Sequence, residues 1–401
     1  MLDLEARFSG VASLIAGARD LLLSRPRDGT PPEPVAARGW APFLEAMTDD
    51  ALDALESRGL AAEWPEGAPS SLRALIEEAR TVTAMPGLHE GAVEPRRLRV
   101  RESARKQLQV DAFTAVVAPL AARSERVVDV GAGHGHLTRA VAERLNRPVL
   151  GLERDEQLAA RARTLGDEGA TFAVTDVLRD GLPLRAGDCV IGLHACGELG
   201  DEMVVQAAAC GASIALVGCC LQKRRQTVRR SLSREAGGND ALDLPRATPG
   251  LSNLTARDVG VETTRAENLA ARARRLALRH LLEEDGAPLR PGAEIDGLNR
   301  RVAQGDLPTL VQRAFSARGR PAPHAGAIAA ADAWAAVHHA RMRRFALPRS
   351  MLARALEVFV LLDRARYLES RGYRVTVGEL FSPSVSARNL VLVARLSDTP
   401  A

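Results

Sequence analysis

The stretch 127–153, VVDVGAGHGHLTRAVAERLNRPVLGLE, constrains this chain more than any other part of it. An apolar β-branched run (Val127, Val128, Val130) contains one acid, Asp129, and then breaks at Gly131-Ala132-Gly133-His134-Gly135. Leu137, Val141 and Leu145 follow at four-residue spacing, as on one helix face, and a second apolar run ends on Glu153. Strand, glycine turn, helix, strand and terminal acid compose the first half of a nucleotide-binding βαβ unit. Glycine lets the backbone approach a ligand that a Cβ would hold away. Glu153 falls where a carboxylate can accept from both hydroxyls of a ribose.

The glycine spacing selects among adenosine ligands. Dinucleotide sites use G-x-G-x-x-G, whose third glycine brings a helix N-terminus to the pyrophosphate. Here His136 stands at that third position and the glycines read G-x-G-x-G. That pattern, with an acid inside the preceding strand, resembles the first motif of class I S-adenosylmethionine-dependent methyltransferases. A purely structural βαβ unit with empty glycine turns is the competing reading. Further strands are expected through Phe172 and Val174, from Cys189 to Leu193 and from Ser213 to Gly218. Asp176, beside Val177, is placed to accept from an adenine amino group, and His194 ends the fourth strand.

Composition bounds the rest. A chain of 401 residues with 46% apolar content can bury two or three cores. Leu4, Phe8, Val11, Ile15, Ala18 and Leu22 give the first 25 residues a helical period, and Asp3 and Glu5 argue against a signal peptide. No stretch approaches the roughly 20 uncharged apolar residues of a membrane span. The five cysteines all lie between 189 and 220, which disfavours a disulfide framework and reads as cytoplasmic. A net charge of +4 does not by itself imply nucleic acid. Of 54 basic residues only Lys106 and Lys223 are lysines, one before the nucleotide-binding segment and one after its fifth strand.

The pattern divides the chain into four segments. Residues 1–95 read as an N-terminal helical region, with Trp40, Phe43, Leu44 and Met47 on one face and a helix from near Asp50 to Gly59. Residues 96–220, starting near Leu98, read as the first part of the α/β core. Residues 221–350, broken by Gly237-Gly238, Pro249-Gly250 and Pro291-Gly292, read as a mostly helical insertion leaving the ligand edge of the sheet and capping the site. Residues 351–401 supply a last helix, Met351 to Arg371, and a terminal strand pair, Tyr373 to Phe381 and Asn389 to Leu396.

Several phrases resemble methyltransferase-like protein 25 and its relatives. They are His194-Ala-Cys196-Gly-Glu-Leu199, Val217-Gly-Cys219-Cys220, Leu362-Asp363-Arg364 with Tyr367-Leu368, Leu380-Phe381-Ser-Pro383 and Ser386-Ala-Arg388-Asn389. The pair Arg105-Lys106 resembles a basic pair ahead of that family's glycine motif, and the likeness covers about residues 96–235 and 350–397. Leu221 stands where the family carries tyrosine, and Ala387 where it carries proline. The resemblance implies a Rossmann-like class I methyltransferase seven-stranded sheet and S-adenosylmethionine as cofactor, with the acceptor open among protein, RNA and small molecule. Cofactor contacts then fall to Lys106, Asp129, Gly131, Ala132, Gly133, His134, Gly135, Glu153, Asp176, Val177 and His194, and acceptor contacts to Lys223, Arg388 and Asn389.

His194 at the end of strand four is the best-placed general base, set against a histidine bonded to loop backbone. It should meet Cys196, Cys219 and Cys220, because strands four and five are neighbours in this fold. Three readings of the cysteines stand together: buried unreactive thiols, a Cys3His zinc shell, and a nucleophile toward pyrimidine C6 as in RNA 5-methylcytosine enzymes. Adjacent Cys219 and Cys220 would point to opposite faces if still in the strand, so no metal is assigned. The basic run Lys223, Arg224, Arg225, Arg229, Arg230 and Arg234 could grip RNA or ribosomal phosphates, or form a solvated face. Only Phe113 and Phe172 are aromatic between 100 and 260, which leaves little to stack a base. A catalytically inactive cofactor-binding scaffold is the alternative of a different class.

Overall fold

The computed structural model describes residues 3–88, 102–166, 169–234, 238–253, 264–284, 288–290 and 292–397, without the side chains of 300 and 301. The expected start of the core near Leu98 lies outside these residues. Seven strands form one sheet: β1 Arg126–Val130, β2 Val149–Glu153, β3 Ala170–Val174, β4 Asp188–Ala195, β5 Ser213–Gly218, β6 Tyr373–Glu379 and β7 Leu390–Leu396. Their spatial order is β3-β2-β1-β4-β5-β7-β6. The first five are mutually parallel, and β7 runs antiparallel to both β5 and β6. This is a seven-stranded Rossmann-like α/β sheet, with the strand count that the resemblance implies.

The apolar runs explain the central strands. Val127 and Val128 on β1, Cys189 to Ile191 on β4 and Ile214 to Val217 on β5 are all buried, as strands covered on both faces require. The strand order reverses between β1 and β4, and open α/β sheets bind ligands outside the carboxyl ends at such a point. Asp129, Glu153 and His194 therefore converge because each lies at the carboxyl end of its own strand.

Strand β4 runs one residue past the expected end and is irregular there. Leu193 pairs with Val217 but Ala195 pairs with Gly218, so His194 is an extra residue facing one step of β5. Its φ is +70°, the left-handed region that a histidine rarely adopts. A plain alternating strand would have turned the imidazole to a different side.

The chain divides into two compact units, with boundaries unlike the four sequence segments. One comprises Met1–Leu22, Leu75–Val259 and Ser350–Ala401, and the other Leu23–Ala74 and Gly260–Arg349. The first helix, Leu4–Gly17, buries Leu4, Phe8, Val11, Leu14 and Ile15, and Phe8 stacks on Phe359 of the last helix, Ala353–Glu369, with centroids 5.8 Å apart. The N-terminus thus belongs with the sheet, because its apolar stripe is covered by the last helix. Residues 221–259, the start of the expected insertion, also belong to the sheet's unit.

The second unit is helical in its described part. Its helices Arg265–Glu283, Leu307–Ser316 and much of Ala325–Met351 enclose a core of Leu276, Leu278, Leu281, Leu310, Val311 and Phe315. The helix Asp49–Arg58 is capped by Thr48 and stopped at Gly59, with φ +55°. Arg265 and Arg343 both pair with its Asp53 and Glu56. Trp40, Leu44 and Met47 are buried as the sequence predicts, and Phe43 is half-buried.

The buried Tyr373 hydroxyl lies 2.9 Å from the carbonyls of both Ala207 and Ala212 and closes β6 onto the helix Glu198–Cys210. Tyr373→Phe should lower unfolding free energy by about 1–2 kcal/mol, measured by denaturant titration, with the urea dependence unchanged.

Candidate active site

A cavity of about 450 Å³ opens at the carboxyl ends of β1, β2 and β4. Its lining includes Gly131, Glu153, Asp176, Val177, His194, Cys196 and Lys223 among the residues expected from the sequence. Leu199, to which no role was attached, lines it too, as do Arg224 and Arg225 of the basic run.

The glycine loop is shaped by backbone geometry. Gly131, Gly133 and Gly135 have φ of +75°, +58° and +76°. A Cβ on Gly135 would also sit 2.3 Å from the Phe172 ring, so both conformation and space exclude a larger residue there. A Cβ on Gly133 would meet nothing within 4 Å, leaving that backbone open to a ligand. Glu153 anchors the loop: Gly133 N–H donates to its Oε2 at 2.9 Å and Asp155 N–H to its Oε1 at 3.0 Å. Each carboxylate oxygen keeps a further lone pair for a ligand hydroxyl. Ala132 N–H donates to Leu152 O at 3.1 Å, and the His134 carbonyl accepts from Arg139.

Asp129 lies beneath the loop rather than in the cavity lining. It is 2% exposed, accepts from the Thr138 hydroxyl at 2.7 Å, and burial raises its pKa to about 6. Lys106 opposes that rise, and burial in turn lowers the Lys106 pKa against the pull of Asp129, Glu102 and Cys219. Asp176 caps the short helix Val177–Asp180, accepting from Leu178 N–H at 3.2 Å.

His194 is tied down on the ring side by a residue the sequence gave no reason to single out. Its Nε2 lies 2.9 Å from Gln109 Oε1, a hydrogen bond that orients the ring. Gln109 sits in the helix Ala104–Ala121, which buries Gln107, Gln109, Asp111 and Thr114, a burial that only the fold reveals. Burial, reinforced by Lys106 and Arg105, lowers the His194 pKa to about 4. The imidazole is therefore neutral near pH 7 and a weak base, better suited to positioning than to proton removal.

The cysteines meet. Sγ atoms of Cys196, Cys219 and Cys220 lie within 4.8 Å of one another, and Cys196 and Cys219 both donate to the His194 carbonyl at 3.2 Å. Strand β5 ends at Gly218, so Cys219 and Cys220 lie beyond it and are not bound to opposite faces. Contact with the Cys196 and Cys219 sulfurs lowers the Cys220 pKa, with Lys223 and Arg388 adding positive charge.

These two loops are locked backbone to backbone. Glu198 N–H donates to Lys223 O at 3.0 Å, and a Cβ on Gly197 would lie 2.1 Å from that same oxygen. Asp201 pairs with Arg224, Arg229 and Arg364, all three nearly buried, at 2.7, 3.2 and 2.9 Å. Those guanidinium groups hold the Asp201 carboxyl far below the usual range against the desolvation cost. Asp363 accepts from Arg229 at 2.7 Å, from Leu232 and Ser233 N–H, and from the Ser233 hydroxyl. Arg225 pairs with Glu198. Much of the basic run thus faces internal acids, and it forms no continuous solvated helix face.

Arg388 and Asn389 lie away from the cavity lining. Arg388 pairs with Glu357 at 3.1 Å and bonds the Ser252 carbonyl, while Asn389 is 1% exposed and donates to Phe381 O at 3.0 Å. Their contacts hold the β6–β7 connection.

Residues 105–227 match the family model described as Methyltransferase domain. A Glutathione S-transferase C-terminal domain-containing protein of Xenopus laevis is 28% identical over 142 residues, 35% of this chain and 23% of that protein. The chain thus spans about a quarter of the length of that relative. Among solved structures, coclaurine N-methyltransferase bound to N-methylheliamine and SAH is 13% identical, with TM-score 0.26 over 79% of this chain and 94% of that one. A TehB-like SAM-dependent methyltransferase from Corynebacterium glutamicum is 16% identical, with TM-score 0.23 over 31% and 79%.

Asp201→Asn should destabilise the protein by about 3–5 kcal/mol, read from the denaturant midpoint, because three buried cations lose their shared anion. His136 is 7% exposed and burial holds its pKa near 4, so the unfolded chain takes up a proton first as pH falls from 6.5. Stability associated with this group is lost between pH 6.5 and 4, and His136→Gln should flatten that part of the slope. Unfolding at about pH 7 and about pH 5 measures the difference.

Proposed function

We propose that this chain transfers a methyl group from S-adenosylmethionine to an acceptor, and that it is a relative of methyltransferase-like protein 25. The observation that carries the cofactor reading is Glu153, a carboxylate on the cavity rim that also holds the glycine loop through Gly133 N–H at 2.9 Å. Ribose hydroxyls at Glu153 and an adenine amino group at Asp176 would place the sulfonium toward His194 and Cys196 on the same cavity wall. The absence of a glycine at 136 argues against a pyrophosphate ligand.

Methyl transfer from a sulfonium is an in-line displacement in which positioning and exclusion of water supply most of the acceleration. His194, held neutral and oriented by Gln109, shapes the acceptor side of the cavity in this reading. The acceptor is sought by class: labelled cofactor is incubated with protein and cell extract, and the label is followed through protease, nuclease and filtration. An RNA acceptor, gripped through Lys223 and the basic residues after it, would appear as nuclease-sensitive label. The scaffold alternative predicts binding with no label transferred.

Isothermal calorimetry should give micromolar-range affinity for S-adenosylmethionine and no heat with NADH. Gly133→Arg should abolish binding by filling the cleft. Glu153→Gln should weaken it by about tenfold or more while shifting the melting temperature little. Unaltered affinity in Glu153→Gln would remove the ribose assignment.

A further inference from the structure

We propose that Cys196, Cys219 and Cys220 form a three-thiolate zinc centre whose fourth position is open and receives a thiol, the sulfur of which is the methyl acceptor. The substrate class rests on the reading of this cavity as a methyltransferase site; the metal centre does not.

The geometry comes first. Zinc with Zn–S bonds of about 2.3 Å sets tetrahedral S···S separations near 3.8 Å. Here the three sulfurs already lie within 4.8 Å, on two loops fastened through Gly197, Glu198 and Lys223. Cys219 and Cys220 lie past the end of β5, which removes the objection that neighbouring strand residues face opposite ways. Cys196 lines the cavity, so a metal on this cluster borders the space assigned to the cofactor.

Zinc with three thiolates carries a net charge of −1 and needs nearby cations. Lys223, one of only two lysines in the chain, lies three residues beyond Cys220 and donates its N–H to the Cys220 carbonyl at 2.9 Å. Arg388 lines the same small cavity as Cys219. A compact ammonium beside a sulfur cluster is something a planar guanidinium replaces poorly.

The coordination count then sets the chemistry. Among the described residues no further histidine, cysteine or carboxylate joins the three sulfurs, and His194 turns its Nε2 to Gln109. Three protein ligands and an open position define a catalytic zinc rather than a structural one. A thiol entering that position loses its proton to solvent. The bound sulfur's lone pair attacks the methyl carbon, the methyl–sulfonium bond breaks, and S-adenosylhomocysteine leaves as a neutral thioether. The methylated product is also a thioether, a weaker zinc ligand, and dissociates.

Full-length protein purified without chelator should hold about one equivalent of zinc by elemental analysis. Cys196→Ser and Cys219→Ser should each lose it, whereas Cys210→Ser, outside the cluster, should retain it. Cobalt-substituted protein should gain thiolate-to-cobalt absorbance when 2-mercaptoethanol is added as the probe thiol. Protein that holds no zinc as purified and takes up none on addition overturns the centre, as does zinc retained by both cluster variants. Bound metal with an unchanged cobalt spectrum overturns the thiol assignment. Cofactor calorimetry separates the two readings: zinc without S-adenosylmethionine binding defeats the methyltransferase reading and the thiol acceptor, and leaves the metal centre standing.

Discussion

Asp201 is the group on which the site depends. One carboxylate in the first turn of the helix after β4 gathers Arg224 and Arg229 from the segment after β5 and Arg364 from the last helix. Isolated, any of these charges would be too costly to bury, and together with Asp363 they satisfy one another. The network crosses between parts of the chain more than 130 residues apart, since Arg229 meets Asp363. It braces the two cysteine-bearing loops, which the bond from Glu198 N–H to the Lys223 carbonyl joins directly.

Seen this way, the phrases that resemble methyltransferase-like protein 25 are one physical object. Gly197 permits the carbonyl of Lys223 to approach, Gly200 leaves room for the Arg364 guanidinium, and Arg364 donates to Gly197 O at 3.0 Å. The cysteines ride on this frame. His194 joins the frame to the cluster: its backbone carbonyl accepts from two thiols while its ring faces Gln109.

Much of the fold was legible from the chain because its signals are local. The runs at 127–130, 149–153 and 213–218 became strands with little displacement, and Glu153 reached the cavity as its place at a strand end requires. The domain boundaries were less legible. Apolar periodicity shows that the first helix has a buried face, but not that the partner covering it is the helix Ala353–Glu369. The partners of the basic run were illegible for the same reason: charge sign is local, whereas Asp201 and Asp363 approach it only after folding.

The sequence by itself determined the sheet, the glycine loop and the acid at 153, since strand period, positive-φ glycines and strand-end position are properties of short segments. Only the tertiary structure decided that His194 is an extra residue in β4, bonded to Gln109, and that three sulfurs share one locality. Such facts depend on register between neighbouring strands and on long-range charge pairing, which no spacing along one chain encodes.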